Sequence, residues 1–144
     1  MKVDALLSSL FVLGLSTFTL ADSLSYDENY DNKSGSLDTT ACSDGSNGLA
    51  SSYPTFGDLP KYPYIGGAAA IKGWNSPNCG TCWKLTYTNE KKKSKSINVL
   101  AVDVADDGFN ISLEAMNALT NNLATELGRI DVKSVQVDAS KCGL

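Results

Sequence analysis

Residues 99–114 read VLAVDVADDGFNISLE and set three carboxylates, Asp103, Asp106 and Asp107, within five positions at the end of an apolar run. Carboxylates so close could act as acid and base on a glycosidic bond, ligate a hard cation, or simply hydrate a turn. The calcium reading fails on the pattern. Counting Asp103 as the first ligand puts Asp107, Gly108 and Glu114 at the fifth, sixth and twelfth places of a calcium loop. Ala105 at the third place cannot ligate, Asn110 stands where an apolar residue is usual, and the preceding segment has a strand's pattern. No metal and no cofactor is expected.

A glycosidase would need two carboxylates across a sugar, one of them kept protonated. Alternation along SINVLAVDV groups Ile97, Val99, Ala101 and Asp103 on one face, so Asp103 shares a row with core residues. A carboxyl buried there would favour its neutral form, the state a general acid needs. Asp106 and Asp107 belong to the turn, where hydrated carboxylates suit the start of a following helix. The chain contains no histidine. That excludes Ser-His-Asp and Cys-His catalysis and every histidine-dependent zinc site. A weak glycan hydrolase, or a lytic transglycosylase working through Asp103 alone, survives as an alternative.

Sugar binding asks instead for exposed rings flanked by polar groups. Tyr26, Tyr30, Trp74 and Trp83 are the candidate rings, with Asp27, Asp31, Asn75 and Asn110 as polar partners. Trp83 lies on the apolar face of its strand and is expected in the core. Two sequons, at Asn32 and Asn110, could carry glycans. A glycan on Asn110 would obstruct a site at the carboxylates, so that one is expected to stay unmodified.

The elements that must position these residues are mostly strands. CWKLTYT (82–88) sets Trp83, Leu85 and Tyr87 against Lys84, Thr86 and Thr88, the period of a half-buried strand. SINVLAVDVA (96–105) is apolar on both faces, and the lysine-rich EKKKSKS (90–96) joins the two as a hairpin. ISLEAMNALTNNLATELG (111–128) reads as one or two short helices with Ser112 as N-cap and Gly128 past the end. RIDVKSVQVD (129–138) alternates with one slip of phase and forms the last strand. Upstream, SYDENYD (25–31) reads as an edge strand with two exposed rings, and 33–50 as loop with a short strand at 36–41. The three prolines and four glycines of 53–74 rule out a long helix, and Gly66-Gly67 opens a small-residue strand, AAAIKG. Six or so short strands favour closure into a barrel.

Lys2, the apolar LLSSLFVLGLSTFTL (6–20) and small Ala21 describe a secretory signal peptide over 1–21, leaving 22–144 as one extracellular domain. The apolar run falls short of the ~20 residues that span a bilayer, and no membrane span is expected. Losing Lys2 and Asp4 leaves the net charge at −4. An acidic chain without a basic stripe argues against nucleic acid as a partner. Cys42, Cys79, Cys82 and Cys142 make an even number in such a chain, so structural disulfides are expected, each sulfur reaching a distant partner. The spacing leaves two such pairings open.

CSDGSNGL (42–49), YPTFGDLPKYPYIGGAAAIKGWNSPNCGTCWKLTY (53–87), INVLAVDVADDGFNISLEAMNALT (97–120) and the closing CGL (142–144) resemble the cerato-platanins, small secreted proteins of filamentous fungi. The resemblance implies a six-stranded double-psi β-barrel, mainly β with short helices, stapled by the disulfides Cys42–Cys79 and Cys82–Cys142. It implies a non-catalytic, expansin-like protein of the fungal cell wall. Such a protein binds chitin or N-acetylglucosamine oligosaccharides in a shallow groove, loosens cell-wall polysaccharide, and is perceived by a plant surface receptor as a defence elicitor. It implies a monomer that self-assembles at interfaces, so a surface-active interaction protein is the second alternative. Asp103 matches the family's groove aspartate, and Tyr26, Asp27, Tyr30, Asn75 and Asn110 are the substrate-binding candidates beside it. The chain departs from the resemblance in its long lysine-rich loop, and from the related expansin barrel in lacking a histidine near the aspartate.

Overall fold

The computed structural model describes residues 20–144. The signal-peptide expectation falls on residues 1–19 almost entirely and lies outside the described residues. Six strands close a barrel: β1 (Asp22–Tyr26), β2 (Ile65–Ala68), β3 (Cys82–Thr88), β4 (Ser94–Val104), β5 (Phe109–Ile111) and β6 (Ile130–Val137), in the order β1-β5-β2-β4-β3-β6. The antiparallel pair β1–β6 completes the ring, and the pairs β1–β5 and β2–β4 are parallel. This is the expected double-psi barrel. No strand is left with an unpaired edge in it.

The hairpin β3–β4 is pinned by register from Cys82 opposite Leu100 to Thr88 opposite Ser94. Its tip holds because Asn89 Oδ1 accepts from Lys91 N at 2.9 Å and Lys93 N at 3.0 Å, with Lys92 in the left-handed region. Two helices follow β5, α1 (Leu113–Thr120) and α2 (Ala124–Leu127). Ser112 caps α1 as expected, its hydroxyl accepting from Ala115 N at 3.1 Å. Gly128 ends α2 at φ 69°, a value that suits glycine.

The core divides into two clusters that share β4 as a wall. Val99 and Ala101 enter the first, with Leu24, Leu85, Ile111 and Met116. Leu100 and Val102 enter the second, with Tyr30, Leu37, Phe56 and Ile65. β4 is therefore buried on both faces, as its composition requires. The disulfide Cys42–Cys79 ties two loops together, and Cys82–Cys142 ties β3 to the C-terminal 3-10 turn.

Four local expectations are corrected. Residues 25–31 form no edge strand: β1 is flanked by β5 and β6, and Glu28–Asp31 coil into a 3-10 helix. Tyr30 is buried and Tyr26 half-buried, so neither is an exposed ring. Segment 36–41 contributes one bridge, Ser36 to Thr55, and a 3-10 turn at Leu37–Thr39. The small-residue strand is Ile65–Ala68, incorporating the glycine pair, and the chain turns immediately after it. Trp83 is half-buried, its ring edge-on to Phe109 with centroids 5.5 Å apart.

Candidate functional site

The glycine pair of β2 shapes the site. Gly66 pairs with Ala101 but Gly67 pairs with Asp103, so Val102 is an extra residue with no partner on β2. An irregularity of this kind breaks the two-residue alternation of a strand and re-aims a side chain. Val102 lies in the second cluster with Tyr30, and Asp103 bonds to Tyr30 as well, so both consecutive side chains lie on one side. Asp103 thus leaves the row of Val99 and Ala101 that simple alternation assigned it, and it is half-buried.

Across the sheet Asp103 stands opposite Gly67, Gly67 opposite Asn110, and Asn110 opposite Ser25. Opposed residues share a face. A carboxylate, a buried glycine, an amide and a hydroxyl therefore follow one another in a line. Glycine is obligatory there because the end of β4 closes over it: a Cβ on Gly67 would come within 2.4 Å of the Val104 carbonyl oxygen. Ser25 Oγ donates to Asn110 Oδ1 at 2.9 Å. Both residues also border an open cavity of about 270 Å3 shared with Val104, Asp106, Asp107 and Arg129.

Asp103 is held by donors. Ala41 N and Val104 N each donate to Oδ1 at 2.9 Å, and the Tyr30 hydroxyl donates to Oδ2 at 3.1 Å. A carboxyl faced by three donors is arranged to accept hydrogen bonds, not to give up a proton. The Tyr30 hydroxyl is pushed well above the ordinary tyrosine range, first by burial and then by the Asp103 carboxylate beside it. It stays a donor to that carboxylate.

The other candidates separate. Asp27 lies near the Tyr30 hydroxyl and spends Oδ1 on Asn29 N, capping the 3-10 helix. Asp31 turns out to be structural: its two oxygens accept from Leu113 N at 2.7 Å and Glu114 N at 3.0 Å, at the start of α1. Tyr26 packs against the first cluster opposite Ile111. Asn75 lies on a different loop, linked to the aspartate through one residue: Ala41 N binds Asp103, and Ala41 O accepts from Asn75 N at 3.0 Å. Asp106 and Asp107 are exposed in the turn, as expected. Among the described residues no cluster of acidic and cysteine side chains could hold a metal ion. Sequence reasoning missed Ser25, Arg129 and the backbone of Ala41. Only the Gly66-Gly67 pair marked the irregular pairing with β4, and it reads equally well as a plain strand opening.

The arrangement offers carboxylate, amide, hydroxyl and guanidinium groups along a shallow, open surface, which suits a ligand rich in hydroxyls. Comparison with known proteins identifies the family. The family profile described as Cerato-platanin matches residues 22–144. Allergen Asp f 15 of Aspergillus fumigatus is 48% identical over 120 residues, covering 83% of this chain and 76% of that protein. The crystal structure of cerato-platanin 1 from M. perniciosa superposes with a TM-score of 0.83 at 52% identity, over 85% of this chain and 99% of the other. The solution structure described as that of the fungal elicitor Cerato-Platanin gives 0.75 at 45% identity, over 83% and 95%.

Proposed function

The chain belongs to the cerato-platanin family, and from that premise we propose that it is a secreted, non-catalytic carbohydrate-binding protein. Its ligand is a chitin-type oligosaccharide laid across the face that carries Asp103 and Asn110, with Asp103 accepting from sugar hydroxyls and Asn110 exchanging hydrogen bonds beyond. Cell-wall polysaccharide then loosens because the protein competes for hydrogen bonds between polymer chains, with no covalent step. The observation that carries this reading is the turning of Asp103 out of the core row onto the face it shares with Asn110 and Ser25, fixed there by Tyr30 and Ala41. The absence of histidine and the three donors on the carboxylate favour binding over acid catalysis. Removal of residues 1–21 on export would leave Asp22, the first residue of β1, at the N-terminus. An elicitor role is carried over from the relative so described.

The test is a titration of the isotope-labelled protein with chitin tetrasaccharide, followed by NMR. Amide shifts of residues 41, 67, 103, 104 and 110 that saturate support the reading, and their absence contradicts it.

A further inference from the structure

Trp74 has no place in that account, yet among the described residues it alone of the aromatic side chains is exposed, at 61%. An isolated apolar residue at a surface needs no explanation. This one is fastened. Its indole Nε1 donates to Asp44 Oδ1 at 2.7 Å, a short bond to a charged acceptor. That N–H also holds the Asp44 carboxyl below the usual carboxylate range, so the clip stays charged in mildly acidic medium. Gly45, at φ 89°, lies so close that a Cβ there would sit 2.7 Å from the Asn75 side chain and 3.1 Å from Trp74 Cζ2. Asn75, itself left-handed at φ 59°, accepts from Asn47 N at 2.7 Å through Oδ1, and its carbonyl accepts from Asn47 Nδ2 at 3.0 Å. The Cys42–Cys79 disulfide staples the same two segments. A hydrogen bond, an asparagine clip, a glycine and a disulfide thus hold one ring in one orientation against solvent.

We infer that Trp74 is a stacking platform for a second sugar unit of the oligosaccharide whose first unit meets Asp103, with Asp44 as the residue that aims the ring. This rests on the carbohydrate-binding reading above. The two subsites share a frame: Ala41 donates to Asp103 through its N–H and receives Asn75, the neighbour of Trp74, on its carbonyl. An indole face takes the apolar C–H face of a pyranose, and the groups around it are those that meet sugar hydroxyls at its rim. Asp44 also lines an open trough of about 510 Å3, together with Ser36, Asp38, Ser43, Ser51 and Thr55 among others. A chain longer than two units has polar surface to run along.

The experiment is a fluorescence and calorimetric titration with chitin tetrasaccharide of the unaltered protein and of Trp74→Ala, Trp74→Phe, Asp44→Ala, Asp44→Asn and Asp103→Asn. The protein has two tryptophans, and Trp83 is half-buried against Phe109. A saturable blue shift with protection from acrylamide, lost in Trp74→Phe, reports on Trp74 itself. The expected results are affinity about tenfold weaker in Trp74→Ala with the thermal midpoint unchanged, a similar weakening in Asp44→Ala, and recovery in Asp44→Asn, whose Oδ1 still accepts from the indole. Binding by Trp74→Ala equal to that of the unaltered protein overturns the platform while leaving the Asp103 subsite standing. Equal affinity in Asp44→Ala overturns the aiming role. No binding by the unaltered protein overturns both the platform and the carbohydrate reading on which it rests.

Discussion

The Tyr30 hydroxyl donates to Asp103 Oδ2 across 3.1 Å, joining a 3-10 helix near the start of the domain to the irregular end of β4. The bond crosses from the second core cluster to the proposed ligand face. It makes Asp103 a fixed acceptor whose position depends on a buried ring.

Asp103→Asn separates binding from folding. The amide oxygen can keep the two backbone donors, and the amide NH2 can give to the Tyr30 oxygen, so the thermal midpoint should fall by the equivalent of about 1 kcal/mol or less. Affinity for chitin tetrasaccharide should drop severalfold. Asp103→Ala strands three donors and should cost more, roughly 1–3 kcal/mol by denaturant unfolding. A large loss of stability in the Asn variant would make the carboxylate a structural residue.

The buried tyrosine sets an alkaline limit. Folded Tyr30 ionises above its unfolded value of about 10, because of burial first and the Asp103 carboxylate second. Its stabilising contribution is therefore complete below pH ~10 and is lost as pH rises toward the folded value, by up to about 1.4 kcal/mol per pH unit. Tyr62 is raised in the same sense by burial, Asp31 and Glu114. Unfolding midpoints should show no slope from these groups at neutral pH and a fall above pH ~10. Tyr30→Phe should flatten part of that fall.

The two disulfides should weigh alike in stability and differently in function. They bridge separations of 37 and 60 residues, for which chain entropy predicts about 4 kcal/mol each. Replacing Cys82 and Cys142 with alanine should lower the midpoint without changing affinity below the transition. Replacing Cys42 and Cys79 should lower both, since that bridge staples the Trp74 segment to the strand-side loop.

Glycine substitutions test the close contacts. Gly67→Ala forces a methyl against the Val104 carbonyl at 2.4 Å and displaces the end of β4 beside Asp103, so it should destabilise by about 1–3 kcal/mol and weaken binding. Gly73→Ala, with nothing within 4 Å of its Cβ, should be neutral or stabilising by a few tenths of a kcal/mol. Equal effects at the two positions would contradict the crowded floor at Gly67.

Much of this was legible in the residues. The period of CWKLTYT and the double-faced apolarity of INVLAV located β3 and β4, and the number of short strands pointed to closure. Spacing left the cysteine pairing open, and the resemblance to cerato-platanins supplied it. Alternation failed at Asp103 because one unpaired residue, Val102, reverses the side of everything after it, and no local pattern marks such a residue. Tyr30 reads as exposed in polar DENYD, yet a 3-10 turn folds the ring beneath the chain. Asp31 looked like a sugar partner and instead caps a helix 82 residues away. β5 has three residues, too few to show a period. The fastening of Trp74 depends on Asp44, 30 residues upstream, which only the folded chain brings near.

The most direct measurement of the central claim is an NMR titration with chitin tetrasaccharide, with a reducing-end assay on the same sample. The account predicts saturable shifts centred on Asp103, Gly67 and Asn110 and no new reducing ends. Shifts accompanied by new ends would mean that the carboxylates perform hydrolysis, and an unperturbed spectrum would mean that this face does not hold this sugar.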